Sequence, residues 1–485
     1  LLIIGAGFAG IGFASRLRDS GFDDFIVLDR GEDVGGTWRD NTYPGCACDV
    51  PSHLYSYSFA AGDWSRAFAP QQEIQDYLCR VAVEHNVLDH VRLGVEVLDA
   101  SWDDDAEHWR VETTDGPFTA NVVVSATGLF GAPVVPQLPG IERFAGSAFH
   151  SLHWDHDHDF SGQRVAVIGT GASAIQFVPP VAEAAERTTV FQRTPPWVLP
   201  KPDVAFPRPV RRILRVRPFE RALRAIQYGL FEASGSPSFV DARLGVLTET
   251  IGRWWLRREI TDEQLREAVT PRYRLGCKRL LFSNNWYAAL RRPDVELVTD
   301  PVVEVREHAV VTAGGVEHPA DVIVYGTGFQ VPPGAGALFR GRDGKTVLDR
   351  YNERPQSYLG VAHTGFPNLF QFFGPFGAAS NQSAVFVLES QYAYVIDALR
   401  QMRDGGLSSV EVRPEVQKAF TDDMERRSEG MVWVAGGCRS YYQTADGQSA
   451  GLWPGWSFSY RRRVARCDLS DFTVRRHAPV VAVAQ

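Results

Sequence analysis

The chain opens on an unbroken apolar run, "LLII", followed by a glycine-rich turn and then Phe8, Ile11, Ala14 and Leu17 at helical spacing. A short, fully apolar run suits a strand buried on both faces, as in a parallel sheet, and the change of period marks the helix that covers it. "FIVLDR" (25–30) reads as a second short strand ending in an acid, and "ANVVVSATGLFG" (120–131) as a third running into glycine. The series then returns. "RVAVIGTGASAIQFVP" (164–179) repeats the opening, "RTTVFQRTPP" (187–196) repeats the second strand with a different ending, and "ADVIVYGTGF" (320–329) echoes the strand before Thr127 and Gly128. Residues 200–275 break the pattern. "RRILRVRPFERALRAIQYGLF" and "TETIGRWWLRREITDEQLREAV" are rich in Arg, Leu and aromatics and predict helices, and a further helix is predicted over 382–400. This alternation predicts an α/β fold with two dinucleotide-binding (Rossmann-like) domains and an inserted helical subdomain.

The glycines give the two units their chemistry. Gly5, Gly7 and Gly10 form GxGxxG between strand and helix: one glycine makes the turn, one admits a pyrophosphate, and one packs helix on strand. Asp29, at the end of the second strand, is placed to accept hydrogen bonds from ribose hydroxyls. The second turn, Gly169-Thr170-Gly171-Ala172-Ser173-Ala174, is the GxGxxA version. Where the first unit has Asp29, the second has Arg193 and Thr194, a cation and a hydroxyl suited to a 2′-phosphate, so NADP is expected rather than NAD. Two such units in one chain point to a flavin in one and its reductant in the other.

Composition narrows the class. Of 485 residues, 44% are hydrophobic and 22% charged, as in globular proteins with a large core. A net charge of −8 argues against a general nucleic-acid binder, and no apolar run is long enough for a transmembrane helix. Six scattered cysteines suit a reducing cytosol, which makes the expected location cytoplasmic. Leu1 already lies inside an apolar run, so the natural N-terminus is expected upstream.

Three features remain open on residue types alone. His150, His153, His156 and His158, interleaved with Asp155, Asp157 and Asp159, are spaced either for a metal or for another purpose. Lys278 and Arg279, a basic pair ahead of an apolar segment, form either a functional cation site, with Asp49 as its acid, or an ordinary ion pair. The stretch "GGTWRDNTYPGCACD" has the Gly-Gly-Thr opening of disulfide reductases, but Trp38 and Tyr43 occupy their two cysteine positions. Cys46 and Cys48 are therefore expected to be packing residues.

Two longer motifs carry a family resemblance. Phe144, Gly146, His150, Trp154 and Asp155 meet FxGxxxHxxxW followed by Pro or Asp; Gly35, Gly36, Trp38, Tyr43, Pro44, Gly45 and Asp49 meet [AG]GxWxxxx[FY]P[GM]xxxD. On these the chain resembles a type I Baeyer–Villiger monooxygenase, a class B flavoprotein monooxygenase. The resemblance implies FAD and NADPH as cofactors, with O₂ and a small-molecule ketone as substrates. A C4a-peroxyflavin would convert the ketone to an ester or lactone. It implies that Arg279 is the catalytic cation and Asp49 the carboxylate that orients it. Lys278 joins Arg193 and Thr194 at the 2′-phosphate, and Thr37, Trp38 and Tyr55 match flavin-contacting positions. His150 and Trp154 match a segment that couples the FAD and NADP domains, which displaces the metal reading. The helix starting near 374–383 is expected to point its N-terminus at the flavin. Asp29 stands where many relatives carry Glu.

By the same resemblance, residues 1–143 and 331–485 are expected to form the FAD-binding domain and 144–160 an interdomain linker. Residues 161–199 and 273–330 form the NADP-binding domain, with 200–272 the helical insert. Trp433, Tyr441, Tyr442, Trp453 and Trp456 either line an apolar ketone pocket or fill core. Two alternatives are a flavin monooxygenase that oxidises sulfur or nitrogen centres and a non-catalytic NADPH-sensing flavoprotein. Monomer and homodimer are left undecided.

Overall fold

The computed structural model describes residues 1–240, 245–331, 334–378, 382–449 and 451–477. Ten strands build its two main sheets: β1 (Leu2–Ile4), β2 (Ile26–Leu28), β3 (Val91–Arg92), β4 (Val123–Ser125), β5 (Ser147–His150), β6 (Arg164–Ile168), β7 (Arg187–Phe191), β8 (Val295–Val298), β9 (Val322–Tyr325) and β10 (Leu369–Gln371). The first sheet runs β10-β4-β1-β2-β3 and the second β8-β7-β6-β9-β5, with every neighbouring pair parallel. In both, the strand feeding the glycine turn is central. The strand ahead of Thr-Gly lies on one side of it and the strand ahead of Asp29 or Arg193 on the other. Each sheet also carries an antiparallel excursion before its Thr-Gly strand, over Val97–Ala120 in the first and Val302–Pro319 in the second.

Burial on both faces explains the unbroken apolar runs: Leu2, Ile3, Val123 and Val124 are all buried. Helix Phe8–Asp19 buries Phe8, Ile11, Ala14 and Leu17, the stripe that the spacing predicts. Helix Ala384–Gly405, predicted over 382–400, closes on it through Tyr392, whose ring lies 5.8 Å from Phe13 and whose hydroxyl donates to the Phe8 carbonyl at 2.9 Å. Among the described residues of 200–272 stand helices Arg208–Leu214, Arg217–Val240, Val246–Glu259 and Glu263–Ala268.

An aromatic joint holds the two sheets together. Phe177, on helix Ala174–Ala184 after the second glycine turn, is fully buried. Its ring centroid lies 6.0 Å from Tyr43 and 5.3 Å from Trp154, one residue from each fingerprint. Gln176 beside it donates its side chain to the Ala172 carbonyl and accepts the Ala47 N–H at 2.8 Å. A Cβ at Gly45 would stand 2.7 Å from the Gln176 carbonyl oxygen, so only glycine lets the loop approach this closely.

One expectation needs correction. Cys277 and Cys438 form a disulfide across 161 positions, while Cys46, Cys48, Cys79 and Cys467 are free. Scattered cysteines read as wholly reduced because nothing local to either partner marks a pairing that the fold brings about. Cys46 and Cys48 are both buried, as packing residues are.

Three buried histidines make stability depend on pH. Burial lowers His53, His150 and His363 each to about 4, with Arg224 adding to the effect at His53. The unfolded chain binds a proton at each below about pH 6.5, and the folded chain binds one only near pH 4. Folded-state pKa values depressed in this way give stability that is present above pH 6.5 and lost as pH falls through that window. We expect urea unfolding midpoints to fall steadily from pH 7 to pH 5, with a slope approaching about 1.4 kcal/mol per pH unit for each histidine. A flat profile would show that these sites do not stay neutral.

Candidate active site

The two glycine turns are built alike. Gly5 (φ +109°) and Gly169 (φ +111°) take left-handed conformations, and a Cβ on them would stand 2.5 Å from the Ala126 oxygen and 2.4 Å from the Gly326 oxygen. Those oxygens belong to the segments leading into Thr127-Gly128 and Thr327-Gly328, so each Thr-Gly strand backs its own glycine turn. The third motif position differs in a compensated way. Gly10 admits no Cβ, which would lie 1.8 Å from the Gly5 oxygen. Its counterpart Ala174 is faced by Gly326, where a Cβ would fall 2.9 Å from the Ala174 Cβ. Neither helix start has a side-chain cap, at Gly7 or at Ser173, so first-turn N–H donors remain for an anion. Gly36 lies back to back with Gly7, where a Cβ would fall 3.0 Å from the Gly7 Cα. Bare backbone there leaves a cradle that a pyrophosphate fits.

Asp29 fastens the first turn. It accepts the Ala6 N–H at 2.7 Å, the Gly31 N–H at 2.8 Å and the Arg39 guanidinium at 2.8 Å. Arg39, which also grips Asp40 at 2.6 Å, is a neighbour that sequence reasoning missed; its only signal was a charge inside the fingerprint. Beyond the turn, Phe8 meets Tyr55 with ring centroids 4.9 Å apart, and the Trp38 indole N–H donates to the Tyr55 hydroxyl at 3.1 Å. Burial, and then the Asp49 charge, push the Tyr55 pKa up, so its hydroxyl stays protonated. Thr37 opens the short helix Thr37–Asp40 that carries Trp38.

Asp49 and Arg279 meet across 230 positions. Arg279 Nε donates to Asp49 Oδ2 and Nη2 to Oδ1, both at 2.8 Å, a two-pronged pair. The arginine side chain keeps 41% of its exposure and the aspartate 23%, so the charge remains open to solvent. The neighbouring Asp49 charge raises the Arg279 pKa well above its ordinary value, outweighing desolvation. Tyr441 and Tyr442 flank the guanidinium, with their hydroxyls hydrogen-bonded to each other at 3.1 Å. By contrast, Trp433 and Trp453 are core residues whose indole N–H groups donate to Ser449 and Ser459. Trp456 stacks near Phe458.

The Arg279 loop is fixed from three sides. Gly276 (φ +93°) turns it where a Cβ would press on Val432 and Phe239. Cys277 ties it to Cys438, and strand Leu281–Phe282 pairs with Val198–Leu199. Lys278 lies over the Tyr273 ring at 5.3 Å, and the Tyr273 hydroxyl donates to the Pro195 carbonyl at 3.1 Å. Lys278 therefore faces the segment holding Arg193 and Thr194. Its pKa is lowered by burial and then by the Arg193 charge. Among the described residues, neither cation has a carboxylate within ion-pair distance, and two such neighbours make a site for an anion.

The histidines of 150–158 diverge. His150 is buried and accepts the Leu152 N–H at 3.1 Å; His156 meets Thr42 and His158 meets Gln163, each at 2.7 Å. Asp155 and Asp159 cap local turns. Among the described residues no three His, Cys, Asp or Glu side chains converge as metal ligands. Phe144 and Gly146 lead into β5, and a Cβ at Gly146 would stand 2.0 Å from the Asp321 oxygen, so this glycine seats the edge strand. Of the stretch 374–383, residues 379–381 lie outside the described residues; the helix it leads to begins at Ala384, capped by Ser383.

Comparison with known proteins places this geometry. Residues 2–210 match the family model described as pyridine nucleotide-disulphide oxidoreductase. A Baeyer–Villiger monooxygenase of Streptomyces coelicolor is 43% identical over 482 residues, covering 98% of this chain and 93% of that protein. One from Pseudomonas aeruginosa is 41% identical over 476 residues, covering 97% and 90%. A solved structure of OTEMO in complex with FAD and NADP superposes with a TM-score of 0.88 at 26% identity, covering 98% of each chain. With such similarity along nearly its whole length, the chain belongs to the Baeyer–Villiger monooxygenase family.

Proposed function

We propose that this protein uses NADPH, FAD and O₂ to insert one oxygen atom next to a ketone carbonyl, giving an ester or lactone. The observation that carries this reading is Arg279, a permanent cation clamped by Asp49 and open to solvent. Bound FAD, with NADPH as its reductant, would supply one oxygen atom of O₂ for the insertion, the other leaving as water.

The protein's own residues bind, orient and stabilise. Gly5, Gly7 and Gly10 hold the FAD pyrophosphate, Asp29 takes a ribose hydroxyl, and Thr37, Trp38 and Tyr55 line the ring system. The turn Gly169–Ala174 holds the NADPH pyrophosphate, while Arg193, Thr194 and Lys278 meet its 2′-phosphate. Arg279 stabilises negative charge developing on the carbonyl oxygen, and Asp49 fixes the plane of its guanidinium. His150 and Trp154 couple the two nucleotide-binding parts, with the boundaries 1–143, 144–160, 161–199, 200–272, 273–330 and 331–485. No helix among the described residues is long and apolar enough to cross a membrane. We place the protein in the cytoplasm, where NADPH is available; the Cys277–Cys438 bridge makes thiol titration of freshly isolated protein the check on that placement.

Two outcomes test these roles. Arg193→Ala should raise the KM for NADPH far more than that for NADH, since a lost charge-assisted phosphate contact costs on the order of 1.5–3 kcal/mol. Equal effects in steady-state assays with both coenzymes would remove Arg193 from the 2′-phosphate.

Arg279→Ala should retain FAD and bind NADPH, because both glycine turns are untouched, yet lose ester formation by about 3–4 kcal/mol, several hundredfold. Arg279→Lys should rescue only partly, lacking the planar fork that Asp49 holds. Chromatographic product analysis beside stopped-flow flavin reduction separates the steps. Near-normal ester yield from Arg279→Ala would dismiss this mechanism.

A further inference from the structure

Helix Arg217–Val240 is amphipathic the wrong way round for a water-facing helix. Its inward face carries Glu220, Arg224, Tyr228 and Glu232; Arg224 donates to the His53 and Ser56 carbonyls, and Glu232 accepts from Ser457 and Gln382. Glu220 is 1% exposed and Glu232 6%. Several apolar residues of its first half point outward instead. Phe219 is 56% exposed and Ile226 59%, and Ala222 lies between them on the same face. The preceding helix, Arg208–Leu214, and its connection extend the stripe with Val210, Ile213 and Val216, at 37%, 52% and 49%.

Charge surrounds this stripe. Residues 208–226 hold seven arginines against one acid, the inward Glu220, in a chain whose net charge is −8. Asp63 takes Arg211 and Arg215, and Glu389 takes Arg224. Arg208, Arg212, Arg217 and Arg221 are exposed and have no carboxylate within ion-pair distance among the described residues. A second copy of this chain docking face to face would bring two such arginine clusters together and be repelled. An anionic bilayer offers apolar depth for the stripe and negative headgroups for its rim, the combination that interfacial helices use.

We propose that residues 208–230 form a docking surface for anionic membranes, lying in the headgroup plane with Ile213, Phe219 and Ile226 inserted. The same helix reaches the site at its other end, where Phe239 packs near Trp433 and against the Gly276 turn of the Arg279 loop.

Flotation of the FAD-loaded protein with vesicles tests this. The protein should rise with phosphatidylcholine–phosphatidylglycerol vesicles at low salt, rise far less with phosphatidylcholine alone, and be released by high salt. Phe219→Ser with Ile226→Ser should weaken partitioning more than about tenfold. Reversing Arg208, Arg212 and Arg221 to Glu should weaken it by at least about fivefold for each charge. Both variants should keep bound flavin and wild-type turnover of a water-soluble ketone. Absence from the anionic vesicles, or equal binding to neutral ones, would overturn the proposal. So would a dimer, seen by sedimentation, that the Phe219→Ser/Ile226→Ser variant converts to monomer.

Discussion

The contact between Asp49 and Arg279 is the constraint on which the site depends, because the two side chains come from parts of the chain 230 positions apart and meet only in the folded structure. An ion pair this open contributes little to stability, about 0–1 kcal/mol. Its value is positional. Guanidinium and carboxylate meet plane to plane, and that contact aims a charge which cannot be lost at working pH. Much of the surrounding structure holds one partner or the other: the Gly276 turn, the Cys277–Cys438 bridge and the Leu281–Phe282 strand for the arginine, and the loop docked on Gln176 for the aspartate.

The loop that carries Asp49 reaches this position through the aromatic joint. Tyr43 and Trp154 close on Phe177 from opposite fingerprints, and Phe177 stands on the helix whose N-terminus faces the second nucleotide turn. One buried ring therefore ties both fingerprint segments to the element that would sense NADPH. A large ring buried among others gives both packing energy and a defined orientation. This explains why the fingerprints hold Tyr and Trp at sites where an aliphatic residue would fill the space without setting an angle.

Helix Arg217–Val240 obeys a different rule. On its inner face Arg224 and Glu232 are tied down by hydrogen bonds to backbone and side chains. Buried polar groups bonded in this way hold a helix in one register. They leave its apolar face free to meet something other than the core.

Much of the fold was legible in the sequence because its signals are local. A glycine forced by a positive φ, an apolar run buried on both faces and a change of period from strand to helix each lie within a dozen residues. They appear twice, at Gly5 and Gly169. The GxGxxA variant was legible too, but its setting was not: Ala174 packs against Gly326, far along the chain, where a Cβ would fall 2.9 Å from its own. Asp49, Lys278 and Arg279 could be named from motif and charge and paired by family resemblance, yet only the tertiary structure shows the two-pronged Asp49–Arg279 contact and the charge of Arg193 acting on Lys278. The Cys277–Cys438 bridge, the grip of Arg39 on Asp29 and the outward face of helix Arg217–Val240 were invisible in advance. Composition and spacing establish that a helix is amphipathic and that a residue is charged or oxidisable. Which side turns inward, and which distant partner arrives, is decided by long-range packing.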